Sequence, residues 1–179
     1  MLKSLLLRFV EQIKIGEIEI YNEFSLQHEL GIFLRESLNE YKVQFERNTK
    51  FFGIKSLTKH EIDIVVYNDS EKYAIELKYP LNGQYPEQMY SFIKDICFME
   101  ELKAFGFTGT YCLTFVNDKN FYSGKKTDGI YAYFRNGAPI CGNICKPTGA
   151  KEESLVLAAE YSVLWTCVDK DMMYYIVEI

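Results

Sequence analysis

Asp63, Glu76 and Lys78 have the residue types and spacing for chemistry on a charged substrate. Glu61-Ile-Asp-Ile-Val-Val-Tyr67 and Lys72-Tyr-Ala-Ile-Glu-Leu-Lys78 read as two strands, and Asn68-Asp69-Ser70-Glu71 between them reads as a turn. A turn symmetric about the Asp69–Ser70 bond makes Tyr67 face Lys72, Val65 face Ala74, Asp63 face Glu76 and Glu61 face Lys78. Side chains alternate along a strand, so Glu61, Asp63, Glu76 and Lys78 share one face. Ile62, Ile64, Val66, Tyr73, Ile75 and Leu77 form an apolar set on the other. Directly opposed Cβ atoms lie roughly 4.5–5.5 Å apart. Two carboxylates that close repel unless a cation sits between them. A hard divalent ion suits the pair, because Mg²⁺ takes one or two carboxylates, waters and a phosphate oxygen. The Lys78 amine reaches the same area, where it could orient or deprotonate a water or stabilise charge developing on a phosphate. The plain alternative is a solvated sheet face. Two features oppose it: the acid pair sits inside the ladder, and each acid is flanked by aliphatic residues.

A third acid is within reach upstream. Leu26, Leu30, Phe33 and Ser37 make a packing stripe at helical spacing, and Glu29 borders that stripe. Glu36, seven residues on, has a similar azimuth and competes with Glu29; either acid could equally be a rim charge. Downstream, Pro86 and Glu87 open a long helix, on which Gln88 and Asp95 share an azimuth near Phe92. Gln88 could bond a metal-bound water or a phosphate and Asp95 could orient it, or both could edge a solvated helix face. Lys50, Lys55, Lys59, His60, Lys119, Lys125, Lys126 and Arg135 could ring the site as phosphate contacts, but scattered lysines are more often solubilising surface.

Elements must position these groups. The pattern predicts a helix over 1–15, a second from Ser25 to Tyr41, a strand from Val43 to Arg47 and a loop or short strand pair from Phe51 to Lys59. The two-stranded ribbon follows, then a helix to about Phe105 with Met89, Phe92, Ile96 and Met99 on one side. Strands are expected over Thr110–Val116 and Ile130–Phe134, and a terminal hairpin over Tyr161–Val168 and Met172–Ile179. This is an α/β (α+β) plan with a mixed central sheet flanked by helices and extra strands at the C-terminal end.

The chain has 179 residues with 48% hydrophobic and 25% charged, a globular composition for one domain. No apolar run approaches the length of a membrane span. The N-terminal apolar patch is interrupted by Arg8 and Glu11, which fits an amphipathic helix rather than a secretory leader. A cytosolic setting is the expectation: the five cysteines are an odd number, no Cys-x-x-Cys and only two histidines leave a structural zinc few ligands, and reduced thiols are the plainer reading. A net charge of −5 argues against tight duplex binding through overall charge alone. A local basic groove or a bound metal stays open.

Asp63, twelve intervening residues, then Glu76-Leu77-Lys78 resembles the PD-(D/E)xK nuclease signature. The order of helix, strand, ribbon, helix and strand is similar to the restriction-endonuclease-like core, over about residues 22–117, with 118–179 as a β-rich extension of one domain running 1–179. Ile62 stands where many members carry Pro. The resemblance implies divalent-metal-dependent hydrolysis of phosphodiester bonds, with Mg²⁺, or Mn²⁺ in its place. Asp63 and Glu76 would bind the metal, Glu29 would complete its shell, Lys78 would position the water, and Gln88 and Asp95 would serve the substrate. The implied partner is nucleic acid, DNA ahead of RNA, with a homodimer as an option and no membrane. The alternative is a catalytically inactive nuclease-like scaffold that binds nucleic acid or protein.

Overall fold

A computed structural model describes residues 1–55, 57–149 and 153–179. It is a mixed α/β architecture. Helix α1 (Leu2–Lys14) packs beside α2 (Glu23–Ser37), and strands β1 (Lys42–Asn48), β2 (Glu61–Tyr67) and β3 (Lys72–Lys78) follow. Helix α3 (Tyr85–Ala104) crosses over to β4 (Gly109–Val116), which runs parallel to β3. A short helix α4 (Ile130–Arg135) leads to strands β5 (Ile140–Cys145) and β6 (Ser154–Tyr161), then β7 (Thr166–Cys167) and β8 (Met173–Glu178). The six-stranded sheet has the order β1-β2-β3-β4-β8-β7, and β5 and β6 form a two-stranded sheet of their own.

Each face of the large sheet carries a core. On one, Leu6, Phe9, Leu26, Leu30 and Leu34 of α1 and α2 pack with Ile64, Val66, Ile75 and Leu77. On the other, Met89, Phe92, Ile96 and Met99 of α3 pack with Val65, Ala74 and Cys112, and with Ile144 and Leu157 of the small sheet. Every residue of β4 is buried, as a strand covered on both faces requires. No helix among the described residues is long and apolar enough to cross a membrane.

The expected elements hold for α1, β1, the ribbon, α3 and β4, with three departures. Helix α2 starts earlier, because Asn22 accepts from the Ser25 amide while the Ser25 hydroxyl accepts from the Asn22 amide, a reciprocal cap. It ends at Ser37 rather than Tyr41. The stretch expected as a strand from Ile130 to Phe134 is helical: Ile130 and Phe134, four apart, are its buried residues, and Gly129 enters it at φ +56. The terminal hairpin is short, since β7 holds two residues and Tyr161 belongs to β6. The Phe51–Lys59 segment opens as a 3-10 turn over Thr49–Phe52 and continues as a loop, in which Ser56 lies outside the described residues.

Candidate active site where the sheet opens

The site lies where β2 comes loose from both neighbours. β2 and β3 pair from Tyr67–Lys72 to Ile64–Ile75 and there part. On its other side β2 pairs with β1 at Phe45–Ile64 and again at Arg47–Ile62, passing over Glu46 and Asp63. Glu46 has φ +47, the one positive value at a non-glycine position among the described residues. Such conformations cost roughly 1–3 kcal/mol and concentrate at working sites. Asp63 therefore has no ladder partner, yet its backbone polar groups still need one. Side chains supply it. The Asp63 amide donates to Glu76 Oε1 at 3.2 Å, and its carbonyl accepts from Gln27 Nε2 at 2.9 Å. Gln27 also donates to Glu46 Oε1 at 2.6 Å. In return Asp63 Oδ2 accepts from the Leu77 amide at 2.7 Å. Each acid is thus strapped to the backbone of the other strand.

This irregularity corrects three expectations. The acid pair does not sit inside the β2–β3 ladder, which ends at Ile64–Ile75, one step short of Asp63 and Glu76. Ile62 leaves the set of Ile64, Val66, Tyr73, Ile75 and Leu77 and joins the opposite core, because the strand changes phase at Asp63. Glu61 does not meet Lys78; it pairs with Asn48 of β1.

Behind the strap runs a row of alternating charges. Glu76 is 1% exposed and its Oε2 accepts from Lys59 Nζ. The same ammonium donates to Asp95 Oδ1 at 2.9 Å. Asp95, 3% exposed on α3, holds its Oδ2 at 3.3 Å from Lys78 Nζ, an ion pair without hydrogen-bond alignment. Lys78 donates to the Leu77 carbonyl at 3.0 Å and lies 3.6 Å from Glu23 Oε1. Glu23 Oε2 closes the row by accepting from the Tyr79 amide at 3.2 Å. Helices from both faces thereby meet at the end of β3. In front, Glu23, Phe24, Gln27, Glu46, Asp63 and Leu77 line an open cleft of ≈ 320 Å³.

Burial sets the protonation here. It raises the Asp63 carboxyl to about 6, against the pull of Lys59 and Lys78. Burial also holds the Glu76 carboxyl well above the usual range, and the neighbouring Asp63 and Asp95 push the same way. For the two lysines burial works downward, but the Asp95 carboxylate leads a set of acids that overrides it and raises both above their ordinary value. Lys78 is accordingly an ammonium, a donor rather than a base.

The structure brings Asp63, Glu76, Lys78 and Asp95 together. It places Glu29 elsewhere, in a groove between α1 and α2 with Arg8, Gln12 and Glu36. The apolar stripe explains why: its Phe33 ring packs on Phe9 of α1 at 5.6 Å, so Glu29 borders the α1 side. Glu23 and Gln27, one turn apart, border the strand side instead. Gln88 donates to Asn82 Oδ1 at 3.2 Å and, among the described residues, shares no hydrogen bond with the four. Residue patterns passed over Glu23, Gln27 and Glu46, and Lys59, expected as surface charge, is instead half-buried between Glu76 and Asp95. One signal for Lys59 was present: an acid inside the apolar run of β3 needs a cation, and Lys59 is the lysine nearest in sequence to Asp63.

Among the described residues no group of three or more His, Cys, Asp or Glu side chains is gathered around one metal position. Mg²⁺ nevertheless needs only one or two carboxylates. Asp63 and Glu76 supply them as hard oxygen donors, and Asp63 Oδ1 takes no hydrogen bond among the described residues. Four carboxyl groups, of Glu23, Asp63, Glu76 and Asp95, stand around the two amines of Lys59 and Lys78. Carboxylate oxygens are the donor type that a hard divalent ion takes, and Glu76 Oε2 is occupied by Lys59. No family model, curated protein or solved structure matches the chain.

Proposed function

We propose that this chain is a divalent-metal-dependent phosphodiesterase that hydrolyses nucleic acid, DNA in the first instance, on a restriction-endonuclease-like core. One observation supports the reading: the reciprocal strap of Asp63 and Glu76 parts the sheet beside a cleft that Asp63 lines, with Glu76 behind it joined to Lys78 through Lys59 and Asp95. A bound divalent ion would polarise a phosphoryl oxygen and a water. Asp63 and Glu76 would hold it. Lys78, kept protonated by Asp95 and Glu23, donates a hydrogen bond to the water or to the charge that grows on the phosphate. Asp95 fixes the position of that amine from α3. The preference for DNA rests on the resemblance of Asp63…Glu76-Leu77-Lys78 to the superfamily signature.

Cleavage of end-labelled single- and double-stranded DNA tests the reading. Activity in Mg²⁺ or Mn²⁺ should vanish with a chelator. It should fall by about 10²–10³ in Asp63→Ala and in Lys78→Ala, the scale for removing one charge-stabilising group. Folded variants that both keep full activity would refute the assigned roles.

A second reading is favoured by the Lys59 bridge between Glu76 and Asp95. Acids neutralised by a lysine of their own chain can serve structure alone, and the molecule would then be an inactive nuclease-like scaffold that binds nucleic acid or protein. Absence of cleavage together with absence of divalent binding would select this reading.

A further inference from the structure

The Lys59 bridge has features that a permanent structural link would not need. Glu76 Oε1 is committed to the Asp63 amide, so Oε2 is the oxygen left for an ion, and the Lys59 ammonium is on it. Lys59 comes from the irregular segment between the 3-10 turn and β2, and its side chain keeps 26% exposure, which leaves a route to solvent. Asp95 does not depend on it alone, because Lys78 stands 3.3 Å from its other oxygen. Withdrawal of Lys59 would therefore uncover one acid, Glu76, whose charge an incoming ion can match. The loop stays anchored just before it: the Thr58 amide and hydroxyl donate to Glu101 at 2.8 and 2.6 Å, so the side chain can swing without the backbone leaving.

We infer that Lys59 is a built-in competitor for the divalent ion, holding the Glu76 oxygen that the ion needs and yielding it only when the ion displaces the ammonium. This rests on the metal-binding reading above and adds a control to it. The chain would bind divalent ions weakly as it stands, since each ion must expel a well-paired cation. It would be loaded only where the ion is abundant, and its Glu76 would be shielded in between.

Calorimetric titration with MnCl₂ tests this on the wild type, Lys59→Met, Lys59→Gln, Glu76→Gln and the double variant Lys59→Met/Glu76→Gln. Met fills the space without charge. Gln keeps a hydrogen bond to Glu76 and guards against misfolding in the Met variant; thermal melts in chelator report on both. Competition predicts that both single variants bind Mn²⁺ about tenfold tighter or more, a shift of about 1.4 kcal/mol, and that the Glu76 change removes the gain. A variant-free readout is the rate at which an amine-acylating reagent modifies Lys59 in the wild type, followed by mass spectrometry. That rate should rise at saturating Mn²⁺. Unchanged affinity in the Lys59 variants, with unchanged acylation, would overturn the competitor. If Glu76→Gln alone still abolishes Mn²⁺ binding in that case, the metal site survives and only the competition is wrong. If no protein in the series binds Mn²⁺ at millimolar concentration, the competitor and the metal site fall together.

Discussion

Asp63 is the residue at which sheet geometry gives way to side-chain geometry. Its amide, carbonyl and carboxylate each bond across to another element, through Glu76, Gln27 and Leu77. Its carboxyl is raised to about 6 by burial, so the native state holds that proton more firmly than the unfolded chain does. The resulting contribution to stability is complete below about pH 4 and is lost as pH rises through about 6. In chelator, wild type should thus lose about 2 kcal/mol relative to Asp63→Asn between pH 4 and pH 7. Urea denaturation of both proteins at the two pH values measures it; parallel pH profiles would show that Asp63 titrates as an ordinary surface acid. Asp118, Glu153 and Glu178 have lowered values and shift the other way, which is why the difference between the two proteins is the quantity to follow.

At the scale of elements, the site depends on how closely α2 lies on β1. Gly31 makes that approach possible: a Cβ there would collide with the Phe45 ring. The same contact brings Gln27 to Glu46 and Asp63, and Glu23 to Tyr79. Gly31→Ala should cost about 1–3 kcal/mol by overpacking, and should lower divalent affinity as well, because α2 carries Glu23 and Gln27 away. A chemical melt and a Mn²⁺ titration check the two halves; a variant as stable and as metal-competent as wild type would mean that the helix seat does not matter. On the opposite face, Phe92 is 1% exposed and packs on Phe121, Phe134 and Tyr175. Phe92→Ala should destabilise by about 3–5 kcal/mol, seen as a lower denaturation midpoint.

The same scale shows what the residue pattern could reveal. β2, β3 and β4 were legible as apolar runs of strand length and α3 by its helical spacing, and Asp63, Glu76 and Lys78 came with the ribbon. The phase change at Asp63 was not legible, since it arises from Glu46 on a neighbouring strand and Gln27 on a helix. Lys59 lies in a loop without periodicity, and Glu23 sits at a helix start, where stripe arguments have little purchase. Residues 130–135 misled because a short apolar run fits a strand as well as one helical turn, and only the packing of Ile130 and Phe134 decides.

For the whole molecule, the sheet acts as a partition with a core on each side, and at the site charged groups from both sides meet. The chain carries a net charge of −5, and its candidate cleft is lined by Glu23, Glu46 and Asp63. A phosphate substrate would be repelled there until a cation is loaded, so DNA binding should itself require divalent ion. Fluorescence anisotropy with a labelled oligonucleotide should show little binding in chelator and clear binding in Ca²⁺ or Mn²⁺; equal binding in both would shift the substrate surface away from this cleft. Divalent ion should also stabilise the fold, by about 1.4 kcal/mol at ten times its Kd, and Glu76→Gln should lose that gain.

Crystals grown with Mn²⁺, with diffraction recorded at its absorption edge, locate the ion itself. An anomalous peak is expected about 2.0–2.6 Å from carboxylate oxygens of both Asp63 and Glu76, with the Lys59 side chain withdrawn and no peak in Asp63→Ala. A peak placed elsewhere, or none while Lys59 still bridges Glu76 and Asp95 at saturating Mn²⁺, would contradict binding of the ion by this acid pair.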